Sequence, residues 1–237
     1  MNKNQIRIFT YLPNPRIWKA LIAADVLGVK IEIRSDKPNN LNNWLWDFNA
    51  RLLSEADKSD KSNYSLAGQK GFKDTLIKTK RFLRVNPYGT IPVAFSMSGN
   101  TGVFESNSIL RVVARLGKNK KYIYGKDSFS KSRIDSFLDS SLVFGALTQT
   151  YSLSLYSKKK LAKHTINATE NAFTNYLNGI EKCLEDKSKK YLISNSLTIA
   201  DICFFGEFSQ FLYYETKAMR YLGRESKGIF DKYKMKY

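Results

Sequence analysis

Cysteine, histidine and proline are scarce in these 237 residues: two Cys, one His and five Pro. Cys183 and Cys203 each sit inside an apolar helical pattern and form no C-x-x-C pair, so neither a disulfide scaffold nor a zinc site is expected. They read as buried thiols of a reducing compartment. The single histidine, His164, follows a lysine cluster at a helix start and cannot build a His-rich metal site, so no metal is expected. No apolar run approaches the ~20 residues needed to span a bilayer. Met1-Asn2-Lys3-Asn4-Gln5 lead straight into an alternating segment, without an apolar run of signal-peptide type, and a cytoplasmic protein is expected.

Acidic residues are also outnumbered. Asp and Glu total 21 against 39 Lys and Arg, a formal net charge of +18. Such an excess can mark a polyanion partner. The lysines are dispersed, however. Lys118, Lys120 and Lys121, Lys158 to Lys160, Lys187, Lys189 and Lys190, and Lys232, Lys234 and Lys236 fall at element ends and in the tail. Cations there complement helix C-termini and face solvent. Direct nucleic-acid binding would rest on charge alone and is not expected. What is plentiful is apolar: 43% hydrophobic and 14% aromatic residues suffice for a sizeable core. The length suits one large domain or two small ones.

Residues 5–10 alternate and read as a strand. Asn14-Pro15 reads as an N-cap followed by proline at the first helical position. Ile17, Trp18, Leu21, Ile22, Ala24 and Leu27 supply a helix's apolar side, and Gly28 stops it. Val29, Ile31 and Ile33 alternate with charges as a second strand. Strand, helix, strand over about 30 residues is a βαβ unit, so the two strands should be parallel. The stretch 41–53 reads as helix, 54–70 as polar loop and 72–83 as another short helix. Ile91 to Phe95 and Gly102 to Phe104 read as a hairpin turning at Ser98-Gly99-Asn100, and Ser106 as the cap of a helix ended by Gly117. Residues 118–127 are basic, lack apolar periodicity and read as a linker. Helical patterns follow at 134–144, 166–184 and 199–212. Ser196 to Ile202 holds a helix start in which Thr198 caps the first turn and Asp201 reaches back to the Thr198 amide.

Three segments together resemble the glutathione-transferase family. Asn86-Pro87-Tyr88-Gly89-Thr90-Ile91-Pro92-Val93 is similar to its NPxGxIPV element, Phe104-Glu105-Ser106-Asn107-Ser108-Ile109 to its xESxAI element, and Thr198–Asp201 to its capped helix. Within the family, the nearest likeness is to the transferase-like domain of elongation-factor-1 gamma subunits. It is carried by Thr10-Tyr11, Trp18 to Ala24, Arg81 to Arg84 and Val103 to Asn107. The resemblance implies an α/β thioredoxin-like N-terminal domain over 1–117 that binds glutathione, and an all-α C-terminal domain over 128–237. Residues 36–84 then look like an insertion, because the family's usual link is shorter.

The same resemblance implies glutathione as co-substrate, with Glu105 on its α-ammonium and Ser106 on its α-carboxylate. A helix start favours a carboxylate, and an acid one residue earlier can pair with an ammonium. It also implies a cis Pro92, which leaves the Ile91 backbone free to pair with the thiol-bearing residue. That thiol has a pKa of ~8.5 when free, so catalysis needs a donor that stabilises its thiolate. The loop Tyr11-Leu12-Pro13-Asn14-Pro15-Arg16 should supply it. It holds no cysteine, which argues against disulfide exchange. Tyr11 and Asn14 are the leading donors; each also reads as structural, Tyr11 as a packed aromatic and Asn14 as a plain N-cap. Arg16 reads as solvated or anion-steering. Phe137, Leu142, Phe144, Tyr151 and Tyr156 are candidates to line an acceptor site, none of them assigned.

Two functions follow. One is an enzyme that transfers glutathione to an apolar electrophile or reduces a peroxide with it, a homodimer by family resemblance. The other is a non-enzymatic scaffold, a translation-associated or other assembly module reusing the fold.

Overall fold

A computed structural model of the chain describes residues 5–69, 72, 74–117, 122–157, 160–222, 228–234 and 236–237, with side chains throughout except at 217–222. The alternating segment forms β1 (Gln5–Tyr11). Asn14 caps α1 (Pro15–Leu27), whose buried stripe runs through Pro15, Ile17, Lys19, Ala20, Ala23, Ala24 and Leu27. Gly28 ends the helix at φ +67, a left-handed turn that only glycine takes without cost, and its N–H returns to the Ala24 and Asp25 carbonyls. β2 (Lys30–Asp36) then pairs with β1 in parallel, from Gln5 opposite Lys30 to Tyr11 opposite Asp36.

Residues 38–78 depart from the sequence reading. Pro38–Asn43 is a 3-10 turn, and Trp44-Leu45-Trp46 is strand β3 rather than helix. β4 (Arg51–Leu52) follows. The polar stretch is not all loop: it holds α2 (Glu55–Ser59), closed by a Ser54–Asp57 capping box, and β5 (Tyr64–Ala67). Within 72–83 lie β6 (Thr75–Lys78) and the start of α3 (Lys80–Val85). These strands form a second sheet in the order β4-β3-β6-β5. Segments of three or four residues are too short for periodicity to separate strand from helix. Aromatic packing decides them. Trp46 is 1% exposed and meets Phe9 edge-on at 5.4 Å and Phe82 at 6.2 Å. Leu41, Phe48 and Leu76 join the same cluster, together with Phe95 of the first sheet.

β7 (Val93–Phe95) and β8 (Gly102–Phe104) complete that first sheet, in the order β2-β1-β7-β8, with β7 antiparallel to both neighbours. A Cβ on Gly102 would stand 2.4 Å from the Val85 carbonyl oxygen, so only glycine lets β8 pass the end of α3. α4 (Ser106–Leu116) packs on α1. The chain divides into two compact units, Met1–Lys120 and Lys121–Tyr237. Within the expected linker, 118–121 lie outside the described residues. Ile123 is not linker-like: it is buried, and its carbonyl accepts from the Ile199 amide at 2.9 Å.

The second unit is helical: α5 (Ser128–Tyr156), α6 (Lys163–Leu184), α7 (Ile199–Leu222) and α8 (Ile229–Tyr233). Phe144, Tyr151, Phe173, Leu177 and Phe211 form its core. Thr198 and Asp201 make the expected cap. The Thr198 amide donates to the Asp201 carboxylate at 2.8 Å, and the Ala200 amide to the Thr198 hydroxyl at 3.3 Å. Neither Cys183, half-buried, nor Cys203, buried, forms a disulfide among the described residues. No described helix is long and apolar enough to cross a membrane.

Candidate functional site

Strand register brings the sequence-selected residues of the first unit to one end of one sheet. β1 pairs with β7 through Phe9 opposite Val93, the first residue of β7, so the C-terminal end of β1, where Tyr11 stands, lies at the same end of the sheet as the start of β7. β7 pairs with β8 through Val93 opposite Phe104, the residues that immediately follow Pro92 and precede Glu105 in the chain. The C-terminal ends of β1 and β8 and the N-terminal end of β7 therefore converge. The Ile91–Pro92 peptide is cis, as the resemblance implies, and so is Leu12–Pro13.

At the β8–α4 corner the roles of two residues shift by one position. Ser106 is the first residue of α4 and Glu105 is its N-cap, where the sequence reading has Ser106 as the cap. Glu105 holds φ at +65, a conformation that costs a non-glycine residue about 1–3 kcal/mol. Its carboxylate is exposed and makes no side-chain cap bond among the described residues. Ser106 is 7% exposed, and Asn107 lies deeper at 3%.

The Tyr11–Arg16 loop is tied into the fold. Asn14 is fully buried. Its side-chain oxygen accepts from the Arg16 amide at 3.2 Å, and its Nδ2 donates to the Thr10 hydroxyl at 3.1 Å. That is the N-cap role, with the amide group engaged on both sides. Tyr11 is half-buried with its ring edge-on to Phe72 at 5.9 Å. Phe72 belongs to the 36–84 segment, so that segment reaches the end of β1 at Tyr11. Arg16 is half-buried. Of the acceptor candidates, Phe144 and Tyr151 are core residues of the second unit, with the Tyr151 hydroxyl donating to Glu215 at 2.6 Å, while Leu142 is exposed.

Two lysines escape the sequence reading. Lys78 of β6 donates to the Gly89 carbonyl at 2.6 Å and lies over the Trp46 ring at 4.6 Å. Burial pushes its pKa below the usual lysine value. It fastens the inserted sheet to the turn that leads into Ile91-Pro92. Lys19 of α1 is fully buried and reaches Ser106 and Asn107. Its signal was present in the sequence: it stands four residues after Pro15 and four before Ala23, on the helix's buried stripe.

Residues 147–234 match the family model described as glutathione S-transferase, C-terminal domain. Across nearly its whole length the chain superposes on glutathione transferase F2 from Populus trichocarpa, with a TM-score of 0.60, 15% identity and coverage of 97% of this chain and 92% of that one. The chain has the glutathione-transferase fold. A second such structure, a glutathione S-transferase from Methylobacillus flagellatus solved with GSH bound, superposes with a TM-score of 0.59 at 12% identity, covering 90% of this chain and 85% of that one. In sequence, this glutathione-transferase-like chain is similar to elongation factor 1-gamma proteins. It is 29% identical to elongation factor 1-gamma 3 of Oryza sativa over 192 residues, 80% of this chain. It is 26% identical to the probable elongation factor 1-gamma 1 of Arabidopsis thaliana over 198 residues, 82% of this chain. The match spans only 36% and 38% of those relatives' own lengths.

Proposed function

We propose that this chain is a translation-associated assembly module of the elongation-factor-1 gamma kind that keeps a glutathione-binding site. The observation that carries the reading is the contrast between the two halves of the site. The residues proposed for binding, Ile91, Pro92, Glu105 and Ser106, lie at the N-terminal end of β7 and the C-terminal end of β8, with α4 starting at Ser106, which supports this half of the reading. Glutathione's thiol-bearing residue would pair with the Ile91 backbone, its ammonium with Glu105, and its α-carboxylate with Ser106 and the first amides of α4. The thiol half is engaged in packing: Asn14 is fully buried with its side chain bonded to Thr10 and Arg16. Similarity to elongation factors over four-fifths of the chain supports the assembly role.

The second reading is a thiol-transferring enzyme acting on an apolar electrophile, with Tyr11 as thiolate donor. The half-buried side chain of Tyr11, at the C-terminal end of β1 beside the start of β7, favours it over the fully buried Asn14. A cytoplasmic homodimer is part of both readings, by family resemblance.

Calorimetric titration with glutathione tests the shared part. Glu105→Ala and Ser106→Ala should each weaken binding about tenfold, the worth of a hydrogen bond to a charged group. No binding at millimolar glutathione would overturn the site. Turnover of an aromatic halide that falls in Tyr11→Phe at unchanged affinity would favour the enzyme. Absence of turnover, together with co-purification of translation elongation factors, would favour the module.

A further inference from the structure

Lys19 is the most deeply buried charged side chain near the site, and its bonds have a direction. Lysine is rarely fully buried, because desolvating an ammonium costs far more than burying a neutral group. Lys19 is 0% exposed, and its Nζ lies 3.1 Å from Ser106 Oγ and 2.5 Å from Asn107 Oδ1. It comes from the middle of α1, and both oxygens belong to the first turn of α4. An ammonium has only hydrogens to give. Ser106 Oγ must therefore accept from Lys19, and its one hydroxyl hydrogen is left to point elsewhere. A serine hydroxyl in solution turns freely between donating and accepting. Here one of its lone pairs is fixed from inside the protein.

We infer that Lys19 is the positioning residue of the carboxylate subsite: it holds the Ser106 hydroxyl as a donor toward the α-carboxylate of glutathione. This rests on the proposed glutathione site. Lys19 itself is too buried to touch the ligand. It acts through Ser106, and the ligand feature it selects is the carboxylate of the γ-glutamyl residue. The ammonium of that residue belongs to Glu105, one position earlier. The subsite thus sorts α-amino acid ends from ligands that lack them.

The test is a double-mutant cycle read by calorimetry on the whole chain, with glutathione and with the dipeptide Cys-Gly, which has no γ-glutamyl carboxylate. Lys19→Met keeps the apolar stem and removes the donors. It should weaken glutathione binding about tenfold and leave Cys-Gly binding unchanged. In the Ser106→Ala background it should cost nothing further, because the group it orients is gone. A purely structural role would lower affinity for both ligands and in both backgrounds, and that result overturns the inference. Should Lys19→Met fail to fold by its melting curve, Lys19→Gln, which keeps a shorter donor, goes through the same cycle, with an intermediate loss confined to glutathione expected. A wild-type chain that does not bind glutathione overturns the site and this inference together. A wild-type chain that binds, with additive losses in the cycle, overturns only the role of Lys19.

Discussion

Asp201 shows how much one side chain can hold at the start of a helix. One carboxylate oxygen accepts from the Thr198 amide and hydroxyl, both at 2.8 Å, and the other accepts from the Leu192 amide at 2.9 Å. The residue therefore closes α7 and ties down the segment before it. Asp201→Ala should destabilise the chain by about 2 kcal/mol, more than a simple cap, because a backbone amide outside the helix loses its partner as well. A urea midpoint that falls at unchanged slope would show it; a midpoint that does not move would remove Asp201 from the account. Sequence spacing discloses the Thr198–Asp201 half of this arrangement. It does not disclose Leu192, because a bond across nine positions depends on the path of the intervening loop. The same limit applies at Lys19 and Lys78. Each stands in a recognisable pattern, but its partners lie in segments whose approach only the tertiary fold creates.

At the scale of the element, the inserted segment sets the limit on what sequence could say. β1, α1, β2, the β7–β8 hairpin and α4 follow from alternation, apolar stripes and glycine stops. Residues 38–78 do not, because their strands are brief and their order in the sheet, β4-β3-β6-β5, includes a parallel pair between β3 and β6. The capping box of α2, Ser54 and Asp57 three residues apart, does leave a sequence signal, but with no apolar stripe behind it the stretch reads as polar loop. That corner carries its own pH signature. The Arg51 guanidinium, then the Ser54 hydroxyl and amide, hold the Asp57 carboxyl well below the usual carboxylate range. A depressed folded pKa means the stabilisation is complete above the unfolded value and is lost only as pH falls through the lower folded one. Because Arg51 is half-exposed, the energy is small and the effect is local. NMR titration should find Asp57 still ionised at a pH where exposed carboxylates are half protonated, near ~3.9. An ordinary midpoint would mean that the β4–α2 corner does not form in solution.

For the whole molecule, an assembly role and a ligand site make separable demands. If the chain works as an assembly module, Glu105→Ala and Ser106→Ala should each weaken glutathione binding about tenfold while leaving co-purification with elongation factors intact. Loss of both together would mean that the ligand governs assembly. The aromatic cluster gives a direct way to follow such effects. Three tryptophans exist in the chain, Trp18, Trp44 and Trp46, and all precede residue 120. The second unit emits only through tyrosine, yet it owns the long helices of 29, 22 and 24 residues that dominate the far-ultraviolet signal. Tryptophan emission and helical ellipticity therefore watch different halves of one polypeptide. If glutathione binds the folded first unit as proposed, adding it should raise the emission midpoint by mass action. If the ellipticity midpoint rises with it, the halves melt as a single cooperative body. If it stays behind, each half has a stability of its own, and the chain's own chromophores separate the two without a label.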